Sequence, residues 1–144
     1  MKKVILIVLS VLLINTTFAQ EHNLFTSVST TYTANSTLTY STELGLWGDN
    51  TCYSITLDRE VSGSTWLGVR PYFGIYDNKE VNLMFYFQPK FNLNDKEKQA
   101  IEIGLNPYYK LRKDLLINTT VGLFIDNKQT QTYFLSFGLV KIFN

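Results

Sequence analysis

Six glycines in this chain share one face of its alternating segments. Gly45, Gly68, Gly74, Gly104, Gly122 and Gly138 all fall on the polar parity, opposite a parity of large apolar residues. Gly48 and Gly63 fall in turn-like stretches instead. A small closed β-barrel has this requirement, because its lumen is narrow and bulky inward residues must alternate with small ones. Here the glycine face is polar and the bulky face apolar. That is the arrangement of a barrel whose outer surface meets lipid.

Period-2 alternation runs through almost the whole chain, and no long window has helical periodicity. It predicts strands at about 23–33, 37–47, 51–61, 65–76, 81–92, 100–111, 115–125 and 131–143. Turn chemistry separates them: Ala34-Asn35-Ser36, Gly48-Asp49-Asn50, Ser62-Gly63-Ser64, Asp77 to Glu80, Leu93 to Gln99, Arg112-Lys113-Asp114 and Asp126 to Thr130. Strands of this length suit a tilted bilayer crossing of about 9–11 residues. Their even number returns the chain to its starting side. The connections at 34–36, 62–64, 93–99 and 126–130 are then expected outside the cell. Aromatic residues gather at strand ends on the apolar parity: Tyr32, Tyr40, Phe91 and Tyr133 toward one rim, Tyr53, Tyr109 and Phe143 toward the other. Amphipathic rings favour both membrane interfaces. Pro71, Pro89 and Pro107 stand inside three consecutive strands, and each lacks a ladder donor, so bulges or local irregularities are expected near them.

The chain opens MKKVILIVLSVLLINTTFAQ: two lysines, a short apolar run from Val4 to Ile14, and Thr17 and Ala19 spaced for cleavage. This reads as a signal peptide over residues 1–19, cut after Ala19 or Gln20, with a barrel domain at 20–144. No cysteine follows the apolar run, which excludes a lipoprotein anchor. Cleavage after Ala19 leaves 125 of 144 residues and removes two lysines and no acid, so the formal charge passes from +1 to −1. Nucleic-acid binding calls for a basic surface, and none is expected. Cys52 is the only cysteine, so no internal disulfide can form.

The polar parity carries charge at strand depth: Glu43, Asp58, Arg70, Lys90, Glu102 and Lys110. An eight-stranded barrel is just wide enough for side chains to fill, and buried charges need partners, so these six are read as a structural lumen network. Folding the fifth and sixth strands about Lys96 sets Lys90 opposite Glu102, with Arg70 deeper and answered by Asp58 or Glu43. The three carboxylates could also be read as catalytic pairs, but the matching cations favour the network. His22 is the sole histidine and precedes the first strand. That leaves no base for a nucleophile and no metal cluster with Cys52, which reads as a small inward filler. No catalytic, metal or cofactor site is predicted.

The last segment, YFLSFGLVKIFN, puts Tyr133, Leu135, Phe137, Leu139 and Phe143 on one parity. At this point the chain resembles the small eight-stranded outer-membrane barrels of the OmpA and OmpX type, by architecture over the mature chain and not by sequence motif. The closing strand resembles the signal read by the outer-membrane assembly machinery. The resemblance implies an all-β, antiparallel up-and-down transmembrane barrel in the outer membrane of a Gram-negative-type bacterium. It implies a monomer with an envelope-integrity role, partnered by outer-membrane lipid and the assembly machinery, without cofactor or catalysis. Asn144 after the aromatic residue, Lys141 within the apolar parity and the short connections depart from the family pattern. The alternative is a secreted or periplasmic soluble β-sandwich or β-barrel that binds a small or apolar ligand, its apolar parity turned inward. Two features count against it: only 17% of residues are charged, and its glycines would stand uselessly on the outer face.

Overall fold

The computed structural model describes residues 22–48 and 51–143. The expected leader at 1–19, Asp49-Asn50 and Asn144 lie outside the described residues. Eight strands follow in order: β1 (Asn23–Thr33), β2 (Leu38–Trp47), β3 (Thr51–Glu60), β4 (Thr65–Asp77), β5 (Val81–Asn92), β6 (Gln99–Arg112), β7 (Leu115–Asp126) and β8 (Gln131–Phe143). Each pairs antiparallel with the next, and β1 closes on β8 from Leu24↔Phe143 to Thr33↔Phe134. One rim, here the terminal rim, carries both ends of the described chain and the β2–β3, β4–β5 and β6–β7 turns. The distal rim carries the other four turns.

The two parities separate as the glycine pattern requires. Leu44, Leu46, Ile55, Leu57, Phe85, Phe87, Leu105, Val121, Leu135, Phe137 and Leu139 are exposed around the outside. Phe25, Tyr72, Met84, Tyr86, Tyr108 and Phe134 are buried inside, with a full set of buried polar residues. Three lumen glycines make room for a ring across the strand, while Gly74, near the terminal rim, is exposed. Phe25 lies opposite Gly45, Tyr86 opposite Gly104 and Phe134 opposite Gly122. A Cβ at Gly45 would stand 2.7 Å from the Phe25 ring, and one at Gly104 would stand 2.6 Å from the Tyr86 ring.

The prolines act on two seams. Along β4–β5 the pairing runs to Gly68↔Lys90 and resumes at Tyr72↔Tyr86, with Pro71 and Pro89 in the gap. Along β6–β7 it stops at Leu105↔Val121 and resumes at Tyr108↔Asn118, with Pro107 in the gap. On their other sides all three pair normally, Pro71 with Tyr53, Pro89 with Ile101 and Pro107 with Leu83. Both seams also carry a register shift near the terminal rim, between Gly74 and Tyr76 and between Lys110 and Arg112. A bulge adds one residue and so reverses the parity beyond it. Tyr76 is thereby set against outward Leu83, and Asp77 against inward Asn82. Arg112 is likewise set against outward Leu115.

The β5–β6 hairpin differs from its expected register. Lys90 faces Ala100, and Gln88 faces Glu102. The loop is centred at Asp95, one residue before the expected Lys96. Asn92 decides this: its Oδ1 accepts from the backbone N–H of Asn94 and of Asp95, each at 2.9 Å, and Lys98 N–H donates to Asp95 O at 3.0 Å. The side chain thus closes the turn locally, as Asx turns do.

Candidate functional site: the charged lumen and its vestibule

Arg70 is the hub of the interior. β4 places it on the inward parity between Gly68 and Tyr72, with 9% exposure. Its Nε donates to Gln88 Oε1 at 2.8 Å, one terminal nitrogen donates to Tyr72 Oη at 3.1 Å, and the other donates to Glu102 Oε1 at 3.2 Å. Glu43 stands 3.7 Å from the guanidinium. The Tyr86 ring lies 4.6 Å from Arg70 Cζ, within cation–π range.

The three buried carboxylates are compensated differently. Glu43 accepts from Ser27 Oγ at 2.8 Å, from Tyr72 Oη at 2.7 Å and from Ser54 Oγ. Glu102 accepts from Tyr86 Oη at 2.6 Å and Lys90 Nζ at 2.9 Å as well as from Arg70. Asp58, fully buried, has Lys90 Nζ 2.6 Å from its Oδ2, in charge contact though off the hydrogen-bonding angle. Its Oδ1 meets no donor among the described residues. Three carboxylates therefore share two cations, and hydroxyl donors make up much of the difference. Such buried ions persist only where their remaining lone pairs and protons are satisfied.

Glu43, Asp58, Arg70, Lys90 and Glu102 thus meet inside the barrel, and Arg70 is answered by Glu43 and Glu102 while Asp58 is answered by Lys90. Lys110 is not part of this group. It sits at the terminal rim, where its amine reaches Asp77 Oδ1 and Asn78 O, each at 2.6 Å. Its depth is the cause, eight residues along β6 from Glu102, and the β4 bulge supplies its partner by setting Asp77 against inward Asn82. Lys90 and Glu102 do bond, diagonally across the two-residue difference in register. Gln88, Tyr72, Tyr86, Ser27 and Ser54 complete the network and were not singled out from the sequence. Their inward parity was visible there; which of them touch depends on register between strands.

The lumen has two unlike halves. Toward the terminal rim, Phe25, Trp47, Tyr72, Tyr86 and Tyr108 pack edge to face or tilted, with ring centroids 4.9 to 6.3 Å apart. Met84, Leu116, Val140 and Ile142 are buried with them, and Cys52 Sγ lies 3.8 Å from Met84 Sδ. Toward the distal rim a cavity of about 200 Å³ opens. Thr31, Thr33, Thr39, Ser41 and Thr132 line its walls, Trp66 and Phe124 stand on one side, and Arg70, Lys90 and Glu102 face it from below. The vestibule is therefore blind: the aromatic half closes it. His22 lies beside Gly48 at the terminal rim, its Nε2 3.0 Å from where a Cβ on that glycine would stand. Among the described residues, no group of three or more His, Cys, Asp or Glu could hold a metal ion.

Comparison with solved structures places this architecture. A chain from a study titled "De novo design of transmembrane beta-barrels" superposes with a TM-score of 0.72 at 11% identity, covering 84% of this chain and 95% of its own. A second, the solution NMR structure of the de novo designed TMB2.3, gives 0.66 at 12% identity, covering 88% and 98%. At such identity the likeness is one of fold. No family model and no curated protein matches the chain.

Proposed function

We propose that this chain is a monomeric outer-membrane barrel of the OmpA/OmpX kind, exported by its N-terminal leader. Its role is structural, supporting the envelope without catalysis or conduction. One observation carries the reading: large apolar side chains form an outward belt over most of the barrel, sparsest on β1 where Thr26 and Thr30 share that parity, while the charged network and a cluster of rings fill the interior. The belt needs a hydrocarbon solvent, and a closed ladder that leaves no free sheet edge can enter one. The likeness to transmembrane designs supports the same reading. The blind lumen supports a structural role over a porin's. Outer-membrane lipid and the assembly machinery, read through β8, are the proposed partners. The soluble alternative needs the apolar parity inside, and here that parity is outside.

Fractionation tests the proposal. The protein should extract with the outer membrane and migrate differently on unheated and heated gels. With Cys52 replaced by serine, a cysteine at Asp95 should react with an impermeant thiol reagent on whole cells, and one at Asn78 should not. Recovery in the buffer-soluble fraction would remove the membrane reading; inverted labelling would reverse the topology.

A further inference from the structure

Around most of the terminal rim, the outward row is apolar or aromatic: Leu24, Leu46, Tyr53, Phe73, Val81 and Tyr109. The sector formed by β6, β7 and β8 breaks that row. The bulge in β6 turns Arg112 out of the lumen and sets it against Leu115, and Leu115 has Lys141 as its other neighbour. Arg112, Leu115 and Lys141 therefore lie in one line across three strands on the outer face. Strands stand about 4.8 Å apart, so the two basic residues are rooted about 10 Å apart. Asp114, in the turn between β6 and β7, stands between their side chains. Its Oδ1 is 3.8 Å from Arg112 Nε, and its Oδ2 accepts from Lys141 Nζ. Both terminal nitrogens of Arg112 remain without a partner among the described residues, and Lys141 keeps donors to spare. Lys113 is exposed in the same turn. Three positive charges thus surround one negative. Exposed Leu139 and Ile117 continue from this row toward the middle of the barrel.

We propose that this sector is a binding site for the phosphate of an anionic phospholipid headgroup, with the lipid's acyl chains lying along Leu139 and Ile117. A guanidinium fork and two ammonium groups are suited to phosphate oxygens. The row stands where the apolar belt ends, on the outer face, which is where a headgroup sits and where a phosphate free in solution gains no apolar contact. Asp114 acts as the brace that holds Arg112 and Lys141 toward the lipid. The alternation in β6 and the isolated Lys141 had no reason to meet without the bulge. The proposal rests on the membrane-spanning reading above.

Native mass spectrometry of the exported chain in zwitterionic detergent tests it, with phosphatidylglycerol and phosphatidylcholine titrated in parallel. Wild type should retain phosphatidylglycerol in roughly 5- to 30-fold preference, the ratio that one or two basic residues near a lipid surface supply. The triple variant Arg112→Gln, Lys113→Gln, Lys141→Gln should lose that preference, while Lys79→Gln and Lys128→Gln should keep it. If the triple variant does not fold, Lys113→Gln alone, which leaves the Asp114 pairs intact, should still weaken the preference. Equal retention of the two lipids by wild type, or a preserved preference in the variants, would overturn the site. So would displacement of the lipid by equimolar inorganic phosphate, which would make this a free-anion site. A chain that stays soluble without detergent loses the membrane reading itself; one that is detergent-borne but indifferent to headgroup loses only this proposal.

Discussion

The two halves of the lumen obey one inward parity and fill it in different ways. Toward the terminal rim the filling is aromatic: rings rest on glycines across the strand and on one another. Toward the distal rim it is ionic: Arg70 and Lys90 hold three carboxylates beneath an open, hydroxyl-lined vestibule. The difference follows from access to water. Arg70, Lys90 and Glu102 border the open vestibule, while Asp58 is fully buried. An ion that borders an open cavity loses less solvation than one sealed in a core. Rings at the other end need no such access. The boundary runs through Tyr86, whose ring packs on Gly104 and whose hydroxyl donates to Glu102.

Tyr86 is accordingly where the comparison breaks most sharply. Tyr86→Ala should cost about 3–5 kcal/mol, as loss of a large buried ring does. Tyr86→Phe keeps the ring and should cost about 1–3 kcal/mol, through the donor lost to Glu102. Urea unfolding in lipid vesicles, followed on unheated gels, separates the two; equal losses would mean that packing and charge are not divided here. Gly104→Leu should fold poorly alone and recover when combined with Tyr86→Ala, because the added side chain would occupy the ring's place.

Next in size are the ions. Lys90→Met should cost less than the roughly 3–5 kcal/mol of a fully buried pair, because the vestibule admits water to the strand ends near it. Its rescue is specific. Asp58→Asn in the Lys90→Met background should restore more stability than Glu102→Gln does, since Glu102 retains Arg70 and Asp58 has no other cation. A double-mutant comparison with the reverse order would show that Asp58 is not the residue that depends on Lys90.

The smallest effect lies outside the lumen. The Lys141 hydrogen bond, and then its charge with that of Arg112, hold the Asp114 carboxyl below the usual carboxylate range. A group whose native pKa lies below its unfolded value contributes stability above the unfolded value, about 3.9, and loses it as pH falls through the native one. Asp114 is exposed to water, so the contribution is small. Wild type should lose slightly more stability than Asp114→Asn between pH 5 and pH 3; parallel curves would show that the turn pairing contributes nothing.

Much of this was readable before any coordinates. Strict alternation put Leu105 outside and Gly104 inside, because a strand allows only two directions. It also collected Glu43, Asp58, Arg70, Lys90 and Glu102 on the inner wall. What alternation cannot supply is the relation between strands. Lys110 stands eight residues along β6 from Glu102, toward the opposite rim, where the bulge between Gly74 and Tyr76 gives it Asp77 as its partner. Lys90 missed direct opposition to Glu102 because one side chain, Asn92, recentred the loop. Lys141 looked like an interruption of the lipid face, yet it sits at the rim and reaches Asp114 in the turn. Depth along the strand, a bulge and a turn closed by one side chain decided these outcomes, and parity alone encodes none of them.

The central claim is that the apolar parity faces lipid while the other parity faces a closed interior. Depth-dependent fluorescence quenching in vesicles tests it directly. In a Trp47→Phe, Trp66→Phe background, Leu105→Trp supplies one outward probe near the middle of β6. In a Trp47→Phe background, native Trp66, which is 6% exposed, supplies an inward one. Lipids brominated near the bilayer centre should quench the probe at position 105 strongly and leave Trp66 nearly unaffected. A folded protein in which Trp66 is quenched and the probe at position 105 is not would contradict the account.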